Sequence, residues 1–177
     1  RMTVTAKFGG SSLADAEQFK KVLSILQSDP ARRYVVVSAP GKRRTDEEKI
    51  TDLLYRTHRL FQEGGDWQAP FSRIEERFLS IERQLCLPLQ MEAALRHIQN
   101  RLCQGASAAY MASRGEYLTA RLLAAATGFP FVDAGELIRF HEDGSLNDSA
   151  TQKASSALKK SSTTGSSRNL SSSSASA

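Results

Sequence analysis

MTVTAKFGGSS, residues 2–12, decides the fold. Its opening run alternates along the chain and is rich in β-branched side chains, the pattern of a strand. The run ends in Lys7 and Phe8, and Gly9, Gly10, Ser11 and Ser12 follow at once. A strand that delivers a lysine to a pair of glycines can end in a turn whose backbone N–H groups face an anion. The start of the next helix would favour that anion further. The stretch is not a Walker A loop: there the lysine follows the glycines, and G-x-x-x-x-G-K-[ST] is absent here. A tight turn with a solvated lysine explains the bare pattern equally well.

The reading extends outward in alternating elements. Ser12 and Asp15 have capping-box spacing. Ala16, Phe19, Val22, Leu23 and Leu26 then recur at helical intervals, and Asp29-Pro30 closes that helix. RYVVVSA, residues 33–39, is a nearly continuous apolar run, which predicts a strand covered on both faces. It hands Ser38 to the same edge of the sheet and continues into a basic loop, PGKRR, residues 40–44. Thr45 and Glu48 form a second capping box ahead of Ile50, Leu53, Leu54 and Phe61. Strand, helix, strand and helix in this order predict a parallel sheet, whose C-terminal strand ends are where such folds bind ligands. Ser38 there can bond a substrate carboxylate or merely turn the chain. Thr45 faces the same choice between ligand and helix cap.

Residues 70–127 read as mostly helical, with breaks at Pro70, Pro88 and Gly105 and with Pro88 opening a helix. Within them, SRGEYLTARLL, residues 113–123, reads as a helix start with Leu118, Leu122 and Leu123 buried. Glu116 would sit in its first turn, where the helix dipole favours an acid and a substrate ammonium would find a partner. FPFVDA, residues 129–134, predicts another strand, and residues 136–144 a helical turn and a short strand.

Composition separates the chain into two parts. Hydrophobic residues make up 40% of the 177, enough for one core. The net charge is +5, but residues 1–150 carry only +1 of it, and the acid-free stretch 151–177 carries +4. The basic pI therefore describes the tail, which weakens a nucleic-acid reading. Serine supplies 11 of those last 27 residues, a composition unable to offset its own ordering entropy. Residues 148–177 are expected to be disordered or not a faithful continuation of the chain, and residues 1–147 to be the folded part. Cys86 and Cys103 fit reduced, packed thiols better than a disulfide or zinc site. No apolar run reaches membrane-spanning length, and residues 1–8 do not resemble a signal peptide, so a cytoplasmic location is the default. No set of metal ligands is evident, and the three histidines carry no motif.

Taken together, KFGGSSLAD, VVVSAPGK and SRGEYLTARLLA resemble the aspartate kinases of the amino acid kinase family, and FPFVDAGELIRFHEDG is similar to that family's next strand region. The likeness covers about residues 2–147 and is carried by the joint order and spacing of the motifs. It implies a three-layer αβα sandwich with a mainly parallel central sheet, incomplete as given. It implies transfer of the ATP γ-phosphoryl group to the side-chain carboxylate of L-aspartate, the first step toward lysine, threonine, methionine and isoleucine, with Mg²⁺ carried on the ATP phosphates. In that scheme Lys7, Gly9, Gly10 and Ser11 surround the phosphates, and Lys7 is the catalytic cation. Ser38, Thr45, Glu116 and Arg114 would hold aspartate, with Glu116 facing its ammonium group. A homodimer and an allosteric amino acid acting through a regulatory domain follow from the same resemblance, with no nucleic acid or membrane involved. Aspartate kinases are much longer and add a Gly-rich nucleotide-binding half, so this chain is expected to be part of a longer enzyme, and fusion to a homoserine dehydrogenase stays open. Two alternatives also stay open. One is another kinase of this fold, such as an acetylglutamate or glutamate kinase. The other is a non-catalytic half-domain used for binding or oligomerisation.

Overall fold

A computed structural model describes residues 3–133, 149 and 152–153. Strand β1, Val4–Phe8, pairs in parallel with β2, Arg32–Val37, aligning Lys7 with Val36 and Phe8 with Val37. The crossover between them is helix α1, Ala16–Gln27. Four more helices follow: α2, Ile50–Gln62; α3, Gln68–Gln84; α4, Met91–Cys103; and α5, Ala108–Thr127. Among the described residues the sheet has these two strands.

One face of the sheet meets the helices. Ala6, Phe8, Val35 and Val37 pack against a single core built from Phe19 and Val22 of α1, Leu54 of α2, Phe71 and Phe78 of α3, Leu95 of α4 and Leu118 of α5. The strand period of two turns Thr5, Lys7, Tyr34 and Val36 the other way. Tyr34 and Val36 are about half exposed. The expected cover on both faces of the second strand is therefore absent among the described residues, and that strand ends at Val37, not Ala39.

Several helix boundaries also differ from expectation, each for a local reason. The glycines lead into a single 3₁₀ turn, Gly10–Leu13, and α1 starts only at Ala16. Asp15 is its N-cap, accepting from the Gln18 N–H at 2.9 Å, so it is not the far member of a box begun by Ser12. Helix α2 starts after Lys49, with no side-chain cap. Thr45 does not cap it, because Glu47 and Glu48 are both held by arginines and the chain turns once more before entering the helix. Pro70 lies inside the first turn of α3, where a missing N–H costs nothing, and so does not break it. Pro88 lies in the connection ahead of Met91. Gly105 does separate two helices, at φ +86°.

Helix α5 begins at Ala108, capped by the Ser107 hydroxyl accepting from the Tyr110 N–H at 3.1 Å. Ser113 and Glu116 thus lie well inside the helix, and the dipole argument for Glu116 does not apply. Cys86 and Cys103 are exposed, not packed in the core. Residues 129–133 form no strand. Residue 134, the expected elements over 136–144 and most of the Ser-rich stretch lie outside the described residues. No described helix is long and apolar enough to cross a membrane.

Candidate functional site at the strand ends

The loops that leave β1 and β2 are locked to each other by backbone. The Ser38 N–H donates to the Phe8 carbonyl at 3.1 Å, and the Gly41 N–H donates to the Gly10 carbonyl at 2.8 Å. A Cβ on Gly10 would fall 2.8 Å from the Ala39 carbonyl oxygen; one on Gly41 would fall 2.7 Å from the Gly10 carbonyl carbon. Both distances are shorter than real Cβ contacts, so two glycines are required for the loops to touch. The sequence offered a phosphate as the reason for Gly10; its immediate reason is the neighbouring loop. Gly9 has open space where its Cβ would be, so its backbone is the approachable part of the pair.

Helix α5 reaches the same junction through Gly115. A Cβ there would stand 2.6 Å from the Ala39 Cβ. Gly115 is buried, and Glu116, the next residue, is exposed. The SRGE stretch thus matters first as a contact point, which its glycine signalled and the expected helix start obscured.

The predicted site residues fall into two groups. Lys7, Gly9, Gly10, Ser11 and Ser38 lie at the C-terminal ends of the two paired strands, and the helix bearing Glu116 touches the second loop at Ala39. Lys7 is exposed, on the sheet face away from the helical core. Among the described residues, no hydrogen bond or ion pair engages the side chains of Lys7, Ser11, Ser38, Thr45 or Glu116. No described hydrogen bond or ion pair joins the Lys7 and Glu116 side chains, while the core, with Phe8 and Leu118, and Gly115 against Ala39 tie their segments together. Thr45 is exposed further along the second loop, its carbonyl accepting from Lys42 Nζ at 3.4 Å. Arg114 lies between two rings, with its guanidinium carbon 4.5 Å from the Tyr110 centroid and 4.6 Å from that of Tyr117.

The N-terminus of α1 already carries a carboxylate cap: Asp15 accepts from the Gln18 N–H. The described residues contain no group of three His, Cys, Asp or Glu side chains able to hold a metal ion.

Sequence reasoning missed the buried charges beneath this edge. Arg77 of α3 is 3% exposed and Glu47 of the second loop 8%. Arg77 Nη2 stands 2.6 Å from Glu47 Oε1. Arg77 Nη1 donates to the carbonyls of Ala14 at 3.1 Å and Gly41 at 2.8 Å. Arg43 completes the cluster, donating to Glu47 through its backbone N–H at 2.7 Å and its Nη2 at 2.6 Å. The clue was spacing: Arg77 falls three residues after Ile74 and four before Ile81, beside Phe78, on an otherwise apolar stripe where a charge is out of place.

Burial pushes the Glu47 carboxyl up. The hydrogen bonds from Arg43 and Arg77 outweigh it and hold the group at about 2. Burial likewise pushes the Arg77 guanidinium down, with Glu47 opposing. A carboxylate whose folded value lies below its unfolded value of 4.5 stabilises the fold above that pH, and the contribution disappears as pH falls toward 2. The contribution is on the order of 3 kcal/mol. Glu47→Gln should therefore lose less stability than the parent between pH 4.5 and pH 2, the window those two values define. Urea midpoints at both ends test this, and identical losses in the two proteins would contradict it.

Comparison with known proteins agrees with this architecture. Aspartokinase 3 of Bacillus subtilis (strain 168) is 44% identical over 81 residues, which are 46% of this chain and 18% of that protein. The crystal structure of Clostridium acetobutylicum aspartate kinase superposes with a TM-score of 0.84 at 39% identity, covering 87% of this chain and 36% of that one. E. coli aspartokinase III, solved with aspartate and ADP, gives a TM-score of 0.70 at 20% identity over 89% of this chain and 37% of its own, a likeness of fold. The chain thus spans well under half the length of each. The model of the amino acid kinase family matches residues 2–165. By that match, over most of its length, the chain belongs to the amino acid kinase family.

Proposed function

We propose that the protein is an aspartate kinase, transferring the γ-phosphoryl group of ATP to the side-chain carboxylate of L-aspartate. The observation that carries this reading is the Gly10–Gly41 junction, which sets the lysine-bearing strand end beside the serine-bearing one. The likeness to the Clostridium enzyme over 87% of the chain supports the choice of substrate. The Pγ–O bond to the β-phosphate breaks, a Pγ–O bond to the carboxylate forms, and ADP and 4-phospho-L-aspartate result. A carboxylate is already ionised at neutral pH, so the reaction needs no general base. It needs two anions brought together, and the protein's contribution is positioning and neutralisation of charge.

Each residue then has a defined task. Lys7 neutralises the transferring group, and the backbone of Gly9 and Gly10 with Ser11 cradles it. Ser38 and Thr45 hold the aspartate carboxylates, Glu116 its ammonium, and Arg114 the anionic side of the substrate. Mg²⁺ enters on the ATP phosphates. A homodimer and an amino-acid effector belong to the same reading.

ADP release by the intact protein, measured with L-aspartate, L-glutamate and N-acetylglutamate in turn, tests the assignment. Turnover with aspartate alone is expected; turnover only with one of the others would transfer the protein to a different kinase of this fold. Within the assignment, Glu116→Ala should raise KM for aspartate by about 10- to 100-fold, the value of one lost charge-assisted hydrogen bond. The KM for ATP should stay put. An unaltered KM for aspartate would remove Glu116 from the substrate site.

A further inference from the structure

We propose that Arg77 is a positioning residue: its guanidinium sets the spacing of the two strand-end loops and thereby aligns the reacting anions. Nothing in the sequence motifs assigns it this task, and the inference rests on reading the strand-end edge as the phosphoryl-transfer site. Nη1 holds Ala14, just past the first loop, and Gly41, in the second, with one nitrogen. Nη2 holds Glu47 at the far end of the second loop. The segment between its two second-loop anchors carries Thr45, and Ser38 lies three residues before the first of them.

Stability alone is a poor explanation for this arrangement. A buried ion pair is often no more stabilising than apolar residues of the same volume. What a planar, forked guanidinium supplies, and an apolar side chain cannot, is directional bonding to several acceptors at once. Here the acceptors belong to two loops that must meet at backbone contact. Arg77 Nε has no partner among the described residues, so the group is held entirely by its two terminal nitrogens. Arg43 fixes Glu47 from the other side, which keeps that carboxylate from following Arg77 if the fork is lost.

The test replaces the pair by apolar residues, Arg77→Met with Glu47→Met, in the intact protein. Two readouts are taken well below the melting temperature. The first is hydrogen exchange at the Gly41 amide, which bonds to Gly10; it should accelerate at least about tenfold while core amides of α3 stay protected. The second is steady-state kinetics: kcat should fall about 100-fold, the effect of a misplacement near 1 Å, while both KM values change less than about threefold. Unchanged Gly41 exchange, or unchanged kcat in a folded variant, overturns the proposal and leaves Arg77 a structural ion. Arg77→Lys, which keeps the charge but not the fork, gives the same two readouts if the apolar pair fails to fold. If the parent protein shows no turnover with aspartate, the functional reading fails. The exchange readout still decides whether Arg77 sets the loops.

Discussion

Replacing Lys7 by alanine in the intact protein is expected to lower kcat with aspartate by about 10²–10³-fold, the range for removing one preorganised charge-stabilising donor. Stability should stay within about 0.5 kcal/mol of the parent, because an exposed side chain away from the core contributes little to folding. The two halves of this expectation come from one observation. Lys7 sits on β1 with its neighbours Ala6 and Phe8 turned into the core, so the strand fixes where the lysine begins while its side chain makes no described hydrogen bond or ion pair. Its charge is therefore available to a ligand and not spent on the fold. Arginine at this position should restore only part of the activity, since a planar fork does not reproduce a compact ammonium. A Lys7→Ala protein with the parent's kcat would remove the lysine from the reaction.

Gly41→Ala should have the largest effect on stability, about 3 kcal/mol, with loss of activity alongside. The added methyl would meet backbone atoms, at 2.7 Å from Gly10 C and 2.9 Å from Gly10 O and Ser11 N. No side chain can rotate away to relieve this. The loops have to separate, breaking the Gly41–Gly10 hydrogen bond and pulling on the carbonyl that Arg77 holds. Gly9→Ala makes the control, because its Cβ would enter open space. Thermal or urea denaturation separates the two: a marked loss for Gly41→Ala and little change for Gly9→Ala. Equal stability of the two variants would mean that the loops do not need their backbone contact.

The contrast between these glycines shows where sequence stops being informative. Strand β1, helix α1 and the parallel pairing with β2 were readable because each rests on a local period or on the order of elements. Gly9, Gly10, Ser38 and Glu116 were readable as candidates because motifs flag residue types. Their physical reasons were less accessible. Gly10 and Gly41 are 31 positions apart, and only the folded chain shows that each needs the other to lack a side chain. Gly115 is needed for Ala39, and Arg77 for carbonyls at Ala14 and Gly41, by the same long-range logic.

The misplaced helix starts have a different origin. Capping boxes at Ser12–Asp15 and Thr45–Glu48 matched the spacing, but both acids went to other partners. Asp15 became the cap itself, and Glu48 was drawn to Arg56 at 2.9 Å and Arg73 at 3.2 Å. The stretch from Ser113 was expected to start a helix, whereas α5 begins at Ala108 and runs through Gly115, where the space a side chain would need is taken by Ala39 of the opposing loop. The exposed sheet face, with Tyr34 and Val36, departs from the doubly covered strand that the apolar run implied.

The most direct test of the central claim traps the product. An acyl phosphate reacts with hydroxylamine, so the intact protein incubated with ATP, Mg²⁺, L-aspartate and hydroxylamine should accumulate aspartyl hydroxamate in step with ADP. The Lys7→Ala protein should form it at least about a hundredfold more slowly. Hydroxamate from glutamate or N-acetylglutamate but not aspartate, or ADP release with no hydroxamate at all, would contradict the assignment of these two loops to phosphoryl transfer onto aspartate.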